Sequence, residues 1–255
     1  MTADKYLEKA AGLLQRIHDE QGENICRAAS LMTDAIARGG AVYVFGSGHS
    51  VIPAMDIFPR YGSFVGFRPL LDPRLMWFNV LGPGGVRELL WLERTEGYAR
   101  VFLESYPLTS RDVMLVYSHG GLNAAPLEVA LEAKSRGLSV VAVTSLSNAR
   151  IAKPTHSSGK RLADVADIVI DNCCPPEDAL VAVDGVPEPL AAGSTVAAVA
   201  IGMALVAEVG SRLAARGYHL DVFVSPNVAG IGPEHNLAVF AAYERLLRRL
   251  AAEGS

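Results

Sequence analysis

The sequence predicts an α/β fold with one parallel sheet that is covered by helices on both faces. Short apolar runs of about five residues alternate with helical segments, which is the pattern of such a sheet. Half of the 255 residues are hydrophobic and a fifth are charged, so the chain can bury a full core. We therefore expect a single domain over residues 1–255, with a helical region at 1–40, the sheet core at 41–190 and C-terminal helices at 193–252.

Four apolar runs are predicted to be strands. They are residues 41–45, 113–117, 139–143 and 167–171. Helices are expected at about 3–38 (with a possible break near Gly22), 124–136, 161–166 and 193–216, and a last helix is expected to end at 252. A further helical stretch, which contains Glu88, Glu93 and Glu96, is expected before the second strand. Residues 61–85 and 172–190 carry many turn-forming residues and are expected to be irregular.

Each of the first three predicted strands ends in a short loop of glycine and hydroxyl residues. The loops are Gly46-Ser47-Gly48-His49-Ser50, Ser118-His119-Gly120-Gly121-Leu122-Asn123 and Thr144-Ser145-Leu146-Ser147-Asn148. Since the carboxyl ends of parallel strands meet at one edge of the sheet, these loops are expected to form one site. Clustered backbone N–H groups and hydroxyls suit an oxyanion, above all a phosphate.

Composition and motifs exclude several function classes. A net charge of −4 without a basic run disfavours nucleic acid as a partner, and Arg245, Arg248 and Arg249 are interpreted as a solvated helix face. No metal-ligand spacing and no dinucleotide fingerprint is present, so neither a metal nor a cofactor is expected.

The chain is expected to be cytoplasmic. Residues 1–9 lack a signal-peptide pattern, and the most apolar stretch, 196–207, is too short to cross a membrane. Cys26, Cys173 and Cys174 include no Cys-x-x-Cys pair, which fits a reducing compartment; a catalytic thiol at Cys173 or Cys174 is the weaker alternative.

Several stretches resemble the sugar isomerase (SIS) domain family, from about residue 5 to residue 236. The first two loops, Ala133-Lys134 and residues 162–167 carry the resemblance to the family. Within it, the chain is most similar to a group of uncharacterised single-domain SIS proteins. That similarity rests on residues 48–50, 93–99, 143–146, 156–160 and 234–236.

The resemblance implies a three-layer αβα sandwich with a five-stranded parallel sheet and flanking long helices. It also implies a homodimer or higher oligomer with the active site near the subunit interface, and a sugar phosphate held by the loops. The residues expected to contact that ligand are Ser47, Gly48, His49, Ser50, Ser118, His119, Gly120, Gly121, Asn123, Thr144, Ser145, Ser194 and Thr195. For Ser194 and Thr195, capping of the following helix is equally open.

Three activities occur on this fold: aldose–ketose isomerisation, elimination from amino-sugar phosphates and sugar-phosphate sensing. The first two begin with removal of the proton next to the carbonyl, which needs a carboxylate or a histidine. By similarity to N-acetylmuramate-6-phosphate etherases, Glu93 is the favoured acid/base, with Asp56 as a second carboxylate. His49 and His235 are the histidine candidates; helix capping is the alternative for His235.

We therefore expect a lyase that acts on N-acetylglucosamine 6-phosphate or a related N-acetylhexosamine 6-phosphate. It would abstract the C2 proton and eliminate the C3 oxygen substituent, as water or as a lactyl ether. A sugar-phosphate isomerase of the phosphoheptose type is the alternative among enzymes. A sugar-phosphate sensor without catalysis is the alternative outside them.

Overall fold

The structure is a computed structural model that describes residues 1–76, 85–228 and 230–253. Its helices are α1 (Thr2–Ala37), α2 (Val51–Ile57), α3 (Gly85–Leu92), α4 (Tyr98–Leu103), α5 (Ala124–Ser135), α6 (Leu146–Ile151), α7 (Leu162–Val165), α8 (Ser194–Ala215) and α9 (Pro233–Glu253). Its strands are β1 (Val42–Gly46), β2 (Phe67–Leu70), β3 (Val113–Tyr117), β4 (Ser139–Thr144), β5 (Ile168–Asp171), β6 (Ala179–Val181) and β7 (Leu190–Ala192).

The central sheet has five parallel strands in the order β2-β1-β3-β4-β5. This confirms the predicted three-layer α/β architecture. The chain first moves outward from β1 to β2 and then returns to β3 on the other side of β1. The strand order therefore reverses between β1 and β3, and ligands of open α/β sheets bind at such a reversal.

Alternate residues of the strands enter two separate cores. In β1, Val42 and Val44 pack with α1, α2 and α8, whereas Tyr43 and Phe45 face α3, α4 and α5. All five residues of β1 and of β3 are buried, because helices cover both faces of the sheet. Continuous burial explains why these strands are apolar runs rather than alternating patterns.

The fifth strand of the sheet, β2, lies in a segment for which the sequence predicts irregular structure. Its residues Phe67 and Leu70 are buried, but Arg68 and Pro69 interrupt the apolar pattern. Pro69 pairs with Val44 at the edge of the sheet, where a missing N–H group is tolerated. Residues 77–84 of the predicted excursion lie outside the described residues.

Three other predictions need correction. Helix α1 runs without a break through Gly22. Glu93 and Glu96 lie in the turn between α3 and α4, because Gly97, with a φ of +90°, separates the two helices. The segment 172–190 is not wholly irregular, since it contains most of the antiparallel pair β6–β7.

Helix α8 is long and apolar enough to span a membrane by length and composition alone. Half of its most apolar window is buried, and it packs along α1 and α2. One face, which includes Ile201, Leu205 and Val209, belongs to the larger core. The helix is therefore a core helix of this domain.

Candidate functional site

The loop after β1 reverses sharply at Gly46. A Cβ atom there would lie 1.9 Å from the carbonyl oxygen of Ser50, so only glycine fits. Residues 48–50 then form one 3-10 turn, in which Gly48 has a φ of +58°. The turn places His49 and Ser50 on the wall of a cavity at the carboxyl edge of the sheet.

The loop after β3 is also closed by a glycine. Gly121 has a φ of +62°, and a Cβ atom there would lie 2.9 Å from Thr144 Oγ1. Its amide donates a hydrogen bond of 3.1 Å to Ser118 Oγ. In the part of the chain that the structure describes, the amides of Gly120 and Leu122 donate to no protein acceptor. These two N–H groups are therefore available to an anionic ligand.

We call the cavity between these loops the edge cavity. Its polar lining is His49, Ser50, Tyr117, Ser118, His119, Asn172, Ser194 and Thr195. It therefore brings together predicted residues from both of the first two loops and from the start of α8. Its volume of about 20 Å³ admits one water-sized group, so a larger ligand requires the loops to move.

The third loop supports the second loop instead of lining the edge cavity. Thr144 Oγ1 and the Ser145 amide both donate to the carbonyl oxygen of His119, at 3.1 and 2.9 Å. Ser145 Oγ donates to the carbonyl oxygen of Cys174 at 2.8 Å. The structure thus uses these two hydroxyls to hold the backbone, whereas the sequence predicts contact with phosphate.

Asn172 is a site residue that the sequence analysis missed. Its Oδ1 accepts from the Cys174 amide at 3.0 Å, which turns its Nδ2 toward His119 Nδ1, 3.2 Å away. His119 Nδ1 is therefore an acceptor, and Nε2 carries the proton that faces the carbonyl oxygen of Pro176 at 3.2 Å. The sequence does contain a signal for this residue: Asn172 directly follows β5, just as the other site residues follow the ends of their strands.

Glu93 bridges the first two loops from behind. Its Oε2 accepts from Ser47 Oγ and its Oε1 accepts from Asn123 Nδ2, both at 2.8 Å. The residue is only 6% exposed, and burial raises the pKa of its carboxyl group, opposed by the hydrogen bond from Ser47 and the charge of Arg94. Glu93 lines no cavity described here, so Ser47 or Asn123 must move before it can touch a ligand.

A second cavity lies on the Arg94 side of Asn123. Its volume is about 270 Å³, and its polar lining is Arg94, Glu96, Asn123, Thr155 and His156. His156 Nδ1 accepts from the Ser158 amide at 3.1 Å, so its Nε2–H faces Glu128 Oε1 at 3.4 Å. Two of the sequence stretches that carry the family resemblance, residues 93–99 and 156–160, meet here.

The start of α8 is capped by a residue that the sequence analysis did not consider. Asp178 Oδ1 accepts from the amides of Gly193 and Ser194 at 3.1 and 2.6 Å, and its Oδ2 accepts from Ser194 Oγ at 2.6 Å. Capping by Ser194 or Thr195, the alternative that the sequence leaves open, is not observed, because neither side chain caps the helix. Ser194 Oγ is held by Asp178, and Thr195 is the residue of this pair that remains for the edge cavity.

The structure does not bring Asp56 or His235 to Glu93. Asp56 forms an ion pair with Arg60 and lines a separate surface cavity of about 340 Å³. Burial of the Tyr117 hydroxyl raises the pKa of Tyr117, and the negative charge of Asp56 raises it further. His235, in the first turn of α9, faces the carbonyl oxygen of Val222 from Nε2 at 2.8 Å.

The buried cysteines are not activated thiols. Burial raises the pKa of Cys173 to about 11 and of Cys174 to about 12, so neither thiol is activated as a nucleophile. Among the described residues, no group of three or more His, Cys, Asp or Glu side chains could hold a metal ion.

Comparison with known proteins gives two kinds of similarity. The SIS domain family matches residues 5–145. The UPF0309 protein SCO4393 of Streptomyces coelicolor is 36% identical over 248 residues, which is 97% of each chain. The UPF0309 protein TTE0306 of Caldanaerobacter subterraneus is 36% identical over 250 residues, 97% of this chain and 99% of that protein.

Among solved structures, the phosphoheptose isomerase GmhA of Neisseria gonorrhoeae is similar with a TM-score of 0.55 and 16% identity. The similarity covers 82% of this chain and 97% of that one, and it shows a shared fold. The family match covers more than half of the chain, and the sequence similarity to the UPF0309 proteins spans nearly all of it. The chain belongs to the SIS domain family and, within it, to the UPF0309 group.

Proposed function

We propose that this protein is a sugar-phosphate enzyme whose first chemical step removes the proton next to the substrate carbonyl. The observation that carries the proposal is the buried Glu93 carboxylate, which bridges the loops after β1 and β3 through Ser47 and Asn123. A carboxyl group whose pKa is raised by burial is a stronger base than an ordinary one. Such perturbed groups cluster at catalytic sites.

The phosphate is proposed to bind at the edge cavity. Ser118 and Thr195 line this cavity and supply hydroxyl donors, and Asn172 and His119 stand beside them. The edge cavity and Glu93 share the loop of residues 118–123, so a ligand that displaces this loop also affects Asn123. Release of Asn123 Nδ2 from Glu93 would leave Oε1 open toward the sugar.

We propose elimination as the chemistry, with an N-acetylhexosamine 6-phosphate as substrate. Glu93 would take the C2 proton, the C2–H electron pair would form the C2–C3 double bond, and the C3–O bond would break. The leaving oxygen would gain a proton and depart as water or as the hydroxyl of a lactate. His49 is the proposed donor, since it lines the edge cavity.

Deuterium exchange tests the first step. The protein is incubated with N-acetylglucosamine 6-phosphate in deuterated water, and C2 is followed by NMR. Deuterium at C2 together with an unsaturated product supports the lyase. A heptose 7-phosphate is the parallel substrate, and formation of its ketose or aldose partner would establish the isomerase instead. Neither exchange nor product on either substrate would refute both enzyme proposals.

The sensor alternative makes a different prediction for the same experiment. A sensor would be stabilised against heat by a sugar phosphate, yet it would show no exchange at C2 with any sugar phosphate. The lack of a wide opening to Glu93 is the observation that favours it. Wild-type protein that binds but never exchanges the C2 proton would decide for the sensor.

A homodimer is the proposed assembly. Beside His235, Leu237 and Phe240 lie three residues apart on α9, and so on one side of it, and they are 66% and 44% exposed. A second copy that covers them would bring His235 toward the partner's site. Light scattering measures the mass, and a monomer at micromolar concentration would contradict the proposal.

A cytoplasmic location is also proposed, because the three cysteines are all free thiols.

A further inference from the structure

The largest cavity described here lies at the amino edge of the sheet, opposite the loops. Its volume is about 490 Å³, and we call it the amino-edge cavity. It is formed where the end of α1, the segments before β1 and β2, and α9 meet. The length of β1 separates it from the edge cavity by roughly 15 Å. The two cavities share no lining residue.

Two arginines of α9 line the amino-edge cavity. Arg245 and Arg249 are four residues apart, so both project from the same side of the helix. Within the described residues, neither forms an ion pair or a hydrogen bond to a carboxylate. The neighbouring Arg248 differs, since its Nη2 donates to Glu244 at 2.9 Å and it does not line the cavity. The sequence suggests that the three arginines form one solvated face. In the structure, two of them line a cavity and the third pairs with a glutamate on the surface.

Arg249 has a structural role that does not use its donors. Its guanidinium carbon lies 3.6 Å from where a Cβ atom of Gly39 would be, next to the end of α1. A positive charge close to the carboxyl end of α1 is favourable for the helix dipole, and Arg249 adds to that of the C-cap residue Arg38. Arg245 has no comparable protein partner in the described chain. Arg245 and Arg249 therefore place two guanidinium groups on one wall of the cavity. Paired guanidinium groups are a common way to bind phosphate.

The remaining walls add apolar and polar surface. Ile36, Val65 and Leu246 supply an apolar part, and Tyr218 supplies a hydroxyl. One carboxylate also faces the cavity: Asp221 Oδ1, which lies 3.7 Å from His219 Nε2. A free inorganic anion would use only the arginines, whereas a ligand with both a phosphate and an apolar portion would use the whole cavity.

We propose that the amino-edge cavity is a second ligand site that binds an organic phosphate monoester. The phosphate lies between Arg245 and Arg249, and the organic portion lies against Ile36, Val65 and Leu246. Because this cavity shares no lining residue with the edge cavity, its ligand is not expected to compete for the residues of the edge cavity. The proposal is independent of the chemistry at the other edge of the sheet.

Isothermal titration calorimetry with phenyl phosphate tests the site in the wild-type protein, R245Q, R249Q and R248Q. Glutamine keeps most of the side-chain stem, and all three positions are exposed, so the variants are expected to fold. Loss of one charged hydrogen-bond donor is expected to weaken binding about tenfold or more in R245Q and in R249Q. R248Q is the matched control and is expected to bind like wild type.

Two further ligands and one variant separate the possible sources of binding. Inorganic phosphate and phenol are each expected to bind more weakly than phenyl phosphate. S118A, at the opposite edge of the sheet, is expected to leave the affinity unchanged. Equal affinity in R245Q, R249Q and wild type would overturn the proposal, as would loss of binding in S118A alone. Absence of any binding by wild type at low salt would overturn it too.

Discussion

Ser47 Oγ donates a hydrogen bond of 2.8 Å to Glu93 Oε2 across 46 residues of sequence. The bond joins the loop after β1 to the turn after α3, and Asn123 joins the other oxygen of the same carboxylate to the loop after β3. One buried carboxylate thus sets the relative positions of two ligand loops. Its chemistry and its contribution to stability can be separated by substitution.

Replacement of Glu93 by glutamine is expected to abolish turnover and to keep the fold. The amide can accept from Asn123 and donate to Ser47, whose hydroxyl can reverse its role. Loss of a positioned base typically lowers kcat by about 10² to 10⁴-fold. The measurement is C2 deuterium exchange, with circular dichroism to verify folding. E93A is the contrasting variant, which leaves both partners unsatisfied and should also lose stability.

The raised pKa of Glu93 predicts a specific dependence of stability on pH. The folded state binds this proton more tightly than the unfolded state, because burial penalises the charged carboxylate. The resulting stability is present below the unfolded pKa, near 4.5, and is lost as pH rises through the folded pKa.

Urea unfolding of wild type and E93Q from pH 4.5 to pH 8 measures this effect. The free energy of unfolding of wild type relative to E93Q should fall with pH and then level off. Asp112, whose pKa burial also raises, is present in both proteins, so its contribution cancels in the difference. A difference that is flat over the whole range, or that rises, would contradict the prediction.

Substitution of Gly46 by alanine is expected to distort the first loop. The added Cβ would lie 1.9 Å from the Ser50 carbonyl oxygen, a backbone atom that cannot swing aside. We expect a loss of about 2 kcal/mol or more in the free energy of unfolding, together with weaker sugar-phosphate binding. G22A is the matched control, because nothing lies within 4 Å of its Cβ position in α1. It should stabilise the protein by up to about 1 kcal/mol.

Asp178 is expected to stabilise the start of α8. In D178A the amide and the hydroxyl of Ser194 lose their acceptors, whereas the Gly193 amide keeps the Asp178 carbonyl oxygen at 2.9 Å. A helix cap is worth about 0.5 to 2 kcal/mol. D178N keeps one acceptor oxygen and tolerates the positive φ of this position, so it should lose less. Urea unfolding of both variants tests the order. Equal stability of D178A and wild type would rule out a capping role.

The sequence predicts the sheet well where burial is continuous. The runs that became β1, β3 and β4 are apolar at almost every position, since helices cover both of their faces. The edge strand β2 escaped notice, because an edge position tolerates Pro69 and does not demand an apolar residue at Arg68. Local pattern therefore reveals a strand in proportion to its burial.

The site shows the same division between sequence and structure. Glycine-rich loops after strands indicate where a ligand binds, and the edge cavity gathers His49, Ser118 and Thr195 as expected. The order of residues in the chain does not show which hydroxyls form hydrogen bonds within the protein and which remain for a ligand. Ser145 is committed to Cys174 and Ser194 to Asp178, partners that are 29 and 16 residues away.

The sequence by itself determined the fold class, the family and the edge of the sheet where the loops meet. The fold class and the edge follow from periodicity and turn chemistry, which act between residues close together in the chain. The family follows from the resemblance of several stretches to the SIS domain. Only the tertiary structure decided that Glu93 is buried between Ser47 and Asn123, and that Arg245 and Arg249 face a cavity while Arg248 pairs with Glu244. Desolvation and pairing depend on distant segments that meet only after folding, so they are set by packing and not by local sequence.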